Sequence, residues 1–364
     1  MIIDDYIATY YFERIPIAQF LETYYIDFYK RIIEFLKYEN FIPPELKLCY
    51  STYKNSELVC LKNKKFLIYN YYLGEILCTL TCLYYKSTDF KEVRTFGYKL
   101  LAEDFHAKGN NRLSEVFAET YKLTKKSDST YTFDYNCTYS NMIQEHFIIF
   151  HELVHAYIGQ NKDFYKKVYT EMKYLITSIY TDDTIIFDLF NRLNNEDKYI
   201  NISSWKSTTW KDIQHFASLA KTVLCKEDII EECVCDFYSI CSLINYFRNF
   251  GLSISIILDG VHLGLKNLQL LAFIDNVTNY FTHNDENTFT NFQIESAIRI
   301  HVFYDTFSKL YDSNDIVYHS IKMDSDYFFR ISEHIMHDLG IIDIVDTSSR
   351  YISQESIDEL IRGL

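Results

Sequence analysis

Nine glycines and three prolines are almost all that can interrupt a helix in this chain of 364 residues. Glycine and proline are the strongest local breakers of regular structure. Their scarcity commits the chain to long helices joined by short polar turns. A hydrophobic share of 48% against 24% charged residues fits a folded chain rather than a disordered one. The length allows one elaborated domain or two. The 33 tyrosines and 28 phenylalanines occur together with abundant Ile, Asn and Lys. A biased base composition explains that mixture without any role in recognition.

Apolar residues recur at helical spacing from Ile17 to Leu36 and predict a long helix over 16–39. Pro43-Pro44 ends that region. Three strand-like runs follow, Leu46 to Tyr50, Leu58 to Leu61 and Lys65 to Tyr69. The polar turns Lys54-Asn55-Ser56 and Lys62-Asn63-Lys64 separate them, as in a meander. Helices are expected near 90–107 and 112–125. Ser129 to Tyr135 alternates with period two and reads as an edge strand. From 138 onward the pattern is almost wholly helical. The most apolar long stretch, Leu252 to Ile274, contains Asp259, His262 and Lys266, so it reads as a core helix or helix pair and not as a membrane span. The expected fold is α+β and predominantly α-helical. A small antiparallel sheet belongs to an N-terminal part, 1–137, and a helical part fills 138–364.

Within the helical part, His151-Glu152-Leu153-Val154-His155 forms an H-E-x-x-H motif inside an apolar run, Phe147 to Ile158. Positions four apart lie on one face of a helix. Both imidazoles can therefore approach one metal ion from the same side, with Glu152 beside them. Burying two imidazoles and a carboxylate without partners would be costly, and a metal is the simplest compensation. Hydrolytic zinc sites keep three protein ligands and one open position. Bound there, the ion lowers the pKa of water from about 16 to near 7, and a neighbouring carboxylate can take the proton. His151 and His155 are thus candidate ligands and Glu152 a candidate general base. The alternative is a helix whose two histidines only hydrogen-bond in the core.

The metzincin continuation needs Gly three and His six residues after the second His, where this chain has Ile158 and Asn161. That class is excluded. Further on, Lys226-Glu227-Asp228-Ile229-Ile230-Glu231-Glu232-Cys233-Val234-Cys235-Asp236 contains an E-x-x-x-D pair, Glu232 and Asp236. Here the sequence resembles the gluzincin metallopeptidases, over the motif helix at about 138–160 and a second helix at about 227–248. The resemblance implies a zincin-like fold, with Glu232 as third zinc ligand and Asp236 supporting the first motif histidine. Asp228 and Glu231 compete with Glu232, which alone has an Asp one turn on. A ligating His normally donates its other N–H to a carboxylate or carbonyl. The resemblance also implies an edge strand ahead of the active-site helix, and a His or Tyr from the C-terminal part that stabilises the oxyanion. His301 is the first candidate for that role, followed by Tyr304, Tyr318, His319, His334 and His337.

The net charge of −14 and the lack of a basic stripe argue against a nucleic-acid partner. Asp4 and Asp5 interrupt the first apolar residues, so no signal peptide is expected. Nine scattered cysteines point to a reducing cytoplasm. Cys225, Cys233, Cys235 and Cys241 surround the proposed ligand helix, but Cys-x-Cys on a helix points its thiols about 200° apart, and free cysteine is a common core residue. The expected function is a cytoplasmic zinc metallopeptidase acting on a protein or peptide, with no membrane partner. The alternatives are a regulatory or binding protein with a structural zinc, and a metal-dependent hydrolase of a non-peptide amide.

Overall fold

A computed structural model describes residues 2–11, 16–36, 40–86, 90–125, 135–181 and 227–283, and within 295–310 residues 295, 298–303, 305–307 and 310. Two helices, α1 (Ile3–Tyr10) and α2 (Gln19–Leu36), precede three strands, β1 (Glu45–Cys49), β2 (Glu57–Leu61) and β3 (Lys64–Asn70). Helices α3 (Tyr71–Lys86), α4 (Phe90–Ala107), α5 (Asn111–Thr124), α6 (Tyr135–Gln160), α7 (Lys162–Thr181), α8 (Glu227–Arg248) and α9 (Ile254–His283) follow. The chain is therefore α+β and mostly helical, with one small sheet.

That sheet corrects two expectations. It is neither a meander nor wholly antiparallel: the strand order is β1-β3-β2. β2 pairs with β3 antiparallel, and β1 pairs with β3 parallel. The reason lies in β3, whose Phe66, Leu67, Ile68 and Tyr69 are all buried. A strand buried on both faces takes the centre, and the two more polar strands take the edges. Lys62 and Asn63, both at positive φ (49° and 65°), form the two-residue turn between β2 and β3. Positive φ at both central residues is what a tight hairpin with the right twist needs.

The strand expected at Ser129 to Tyr135 has a different end. Residues 129–134 lie outside the described residues, and Tyr135 is the first residue of α6. Helix α6 is apolar on nearly every face, which suits a helix wrapped on all sides. It packs against α3, α7, α8 and α9 and touches β2 and β3. Gly260 and Gly264 let α9 lie close to it: a Cβ at Gly260 would meet Ile143 Cβ at 2.8 Å, and one at Gly264 would meet Gln144 Cγ at 3.0 Å. One hydrophobic cluster runs from Tyr25 on α2 to Phe307 and so crosses the boundary expected at 137/138. Among the described residues one helical span, Ile254–Thr282, is long and apolar enough to cross a membrane, yet 72% of its most apolar window is buried inside the protein. Cys82 on α3 and Cys137 on α6 form a disulfide.

Candidate metal centre

Helices α6 and α8 pack side by side, and the one lays its motif face against the acidic face of the other. His151 Nε2 and His155 Nε2 lie 3.1 Å apart. Glu232 bridges them, with Oε2 3.2 Å from His151 Nε2 and Oε1 3.2 Å from His155 Nε2. Bonds of 2.0–2.1 Å at tetrahedral angles hold neighbouring ligand atoms about 3.3 Å apart. The three separations are close to that spacing. The donor set of two imidazoles and a carboxylate suits zinc. Among the described residues this is the one group of three or more ligating side chains that could hold a metal ion.

The opposite ring nitrogens have carboxylate partners as well. His151 Nδ1 lies 2.9 Å from Asp236 Oδ1, and His155 Nδ1 lies 3.0 Å from Glu231 Oε1. Glu231 thus faces the outer nitrogen of His155 rather than joining the ligand group. Its other oxygen accepts a hydrogen bond from Tyr165 Oη at 3.1 Å. Arg299, on a short helical stretch at 298–303, donates through Nε and a terminal nitrogen to Asp236, both at 2.7 Å. Its remaining nitrogen lies 3.1 Å from Glu232 Oε2. Neither Arg299 nor Tyr165 stands out in the sequence. The signal that could have raised Arg299 is a need: three carboxylates crowded on one face of α8 require a buried cation.

These contacts set the charge states of the site. Burial works to raise the Glu232 carboxyl, but Arg299 and then His151 outweigh it and hold it well below the usual range. Asp236 is lowered despite its burial, by Arg299 and then by His151. Burial alone would lower both histidines. Glu232 first, then Asp236, reverses this for His151, and hydrogen bonds that His155 donates to Cys235, Glu231 and Glu232 reverse it there, so both are raised. Glu152 is raised by burial, against the pull of the two imidazoles and a hydrogen bond from the Leu58 backbone. It belongs to none of the close ligand contacts, stands beside them, and faces a cavity of about 1050 Å³.

Leu58 and Cys60 of the edge strand β2, Phe147 and Ile148 of α6, and residues of α9 from Leu265 to Asp275 line that cavity, with Arg299 and Ile300 near the ligands. His301 is not among the lining residues. Its half-buried ring is pushed down to about 4, first by desolvation and then by Lys266, and the structure does not bring it to the ligand group. Tyr304, Tyr318, His319, His334 and His337 lie outside the described residues. Cys233 and Cys235 are buried, and Cys235 lies against His155, its thiol pushed up to about 12 by burial. Comparison of the chain with family models, with curated proteins and with solved structures gave no match.

Proposed function

We propose that this chain is a zinc-dependent metallopeptidase of gluzincin-like, zincin-like build that hydrolyses peptide bonds. The observation that carries the reading is the convergence of His151, His155 and Glu232 on one point, with Glu152 left free of that group at the edge of a large cavity. A structural metal site has no use for such a carboxylate. Zinc held by the three ligands would polarise an amide carbonyl and acidify a water molecule. Glu152 takes the proton of the attacking water and returns it to the leaving amine. The hydrogen bond from the Leu58 backbone keeps the carboxylate oriented for the first step. Asp236, Glu231 and Arg299 hold the ligands in place.

The shape of the cavity favours a peptide over a small amide. From Leu265 to Asp275, α9 runs along it for about 15 Å at ~1.5 Å per residue. An extended chain covers that length with about four or five residues at ~3.3 Å each. β2 is an edge strand, and its backbone groups beyond Leu58 are ones with which such a chain can pair. Substituting Glu152→Gln keeps shape and removes basicity. Zinc content and stability are expected to stay unchanged, while hydrolysis of a peptide mixture falls by about 10²–10⁴-fold. Wild-type turnover in that variant would make the site structural and leave a regulatory or binding protein as the better description.

A further inference from the structure

One wall of the cavity is neither helix nor strand. The connection between β1 and β2 supplies five consecutive lining residues, Thr52, Tyr53, Lys54, Asn55 and Ser56, and continues into Glu57 and Leu58 of β2. Leu58 is the residue whose backbone bonds Glu152. This segment therefore leads directly to the proposed base.

One side chain ties its start at three points. Asn70, the last residue of β3, is fully buried at 0% exposure. Its Oδ1 accepts the backbone N–H of Ser51 at 3.1 Å and that of Tyr72 at 3.2 Å. Its Nδ2 donates to the carbonyls of Ser51, at 2.9 Å, and of Tyr53. The side-chain amide has two donors and two acceptor sites, and all four are used. The backbone N–H of Asn70 donates to Ser56 Oγ at 3.1 Å, so both ends of the segment are tied to the same residue. Lys54, itself on the cavity wall, pairs with Asp104 of α4. Between these anchors the side chains of Tyr53 and Asn55 remain exposed while lining the cavity.

We infer that the segment 51–56 is a preformed wall that touches the substrate chain and sets which side chains it accepts, and that Asn70 is the positioning residue that fixes it. The inference rests on the peptidase reading of the metal centre. Loops that carry specificity work best on a rigid support, and a loop ordered before binding spares the complex the entropy of ordering it. Loosening the wall should therefore weaken substrate binding and blur selectivity, with less effect on the chemical step.

The experiment compares wild type, Asn70→Asp, Tyr53→Ala and Asn55→Ala, all loaded with zinc, on a tryptic digest of a whole proteome. Asn70→Asp keeps the shape of the side chain but turns a carboxylate toward the two carbonyls that Nδ2 now holds. For the best-cleaved peptides its KM is expected to rise about 10-fold or more, with kcat changed less, and the residue preference around the cut to broaden. Tyr53→Ala and Asn55→Ala change exposed side chains, so they should fold normally and alter the preference at one or more positions. They decide the matter if Asn70→Asp does not fold. A cleavage profile and KM that stay as in wild type in every folded variant overturn the wall and leave the peptidase reading intact. If zinc-loaded wild type cleaves nothing and the Glu152→Gln protein retains no peptide, the peptidase reading fails and takes the wall with it.

Discussion

His151 and His155 point the same nitrogen at the same spot but are held by different neighbours. His151 faces Asp236, which Arg299 grips through two nitrogens, whereas His155 faces Glu231, which a tyrosine from α7 supports. Partners of this kind fix the tautomer and the orientation of the ring, and losing one typically costs about 10–100-fold in metal affinity. Asp236→Ala and Glu231→Gln should each weaken zinc binding within that range, and Asp236→Ala more, because it also strips Arg299 of its bidentate acceptor. Competition against a chromophoric chelator reads this directly. Equal affinity in both variants and wild type would leave the two carboxylates with no part in holding the metal. A second expectation concerns protons. Both histidines are raised above their ordinary value of 6.5, and a metal takes only the neutral ring, so binding near neutral pH should release protons. Calorimetric heats that do not depend on the ionisation enthalpy of the buffer would contradict it. His151, Glu152 and His155 were legible because their chemistry is carried by spacing within one helix. Glu232 was legible only through resemblance. Arg299 and Tyr165 were not legible, since their partners lie tens of residues away and no local pattern marks them.

The same division between local and distant signals appears at the level of elements. The sequence marks α2, α4, α5, α6 and α8 to within a few residues, because amphipathic spacing and caps are written locally. Asn110, for example, caps α5 by accepting the N–H of Leu113 at 3.3 Å. Helix α3 is absent from the sequence reading. It follows β3 without a turn, and its run from Tyr71 to Lys86 is aromatic, aliphatic and β-branched on most faces. Periodicity cannot separate such a helix from a strand. The one cue is Asn70 itself, whose Oδ1 accepts the N–H of Tyr72 and so caps the helix. Sheet order was also out of reach, because a parallel partner is chosen by burial and not by the length of a connection. Close helix packing leads to a prediction. At Gly260 a methyl group would sit 2.8 Å from both Cβ and Cγ2 of Ile143 on α6, atoms near the backbone that cannot swing aside. Gly260→Ala should therefore destabilise the fold by about 1–3 kcal/mol, read as a lower denaturant midpoint. A midpoint equal to wild type would mean that α9 can slide along α6 at no cost.

For the molecule as a whole, the metal centre is the place where α6, α8 and the Arg299 segment meet over a shared core, so its state of charge should govern the stability of the entire chain. In the metal-free protein the two histidines have raised pKa values, which means that above about pH 6.5 the folded state holds more protons than the unfolded one. Stability from that source is fully present below 6.5 and is lost as pH rises through the folded values. Glu232, Asp236 and Glu231 are lowered from their ordinary values near 4. Their contribution is present above those values and is lost as pH falls through the folded ones. The contribution of the two histidines should therefore fall as pH rises from 6.5 toward 8. With zinc bound, the rings are held neutral by the ion, so that weakening disappears. Meanwhile the affinity itself rises with pH, because protons no longer compete for the ligands. Metal in excess at about 100 times its dissociation constant adds close to 2.7 kcal/mol to the folded state, and a larger excess adds more. The gap in Tm between zinc-loaded and chelator-treated protein should consequently widen steadily from pH 5.5 to pH 8. A gap that stays constant or narrows across that interval would show that the three ligands do not act together on a metal ion in the folded chain.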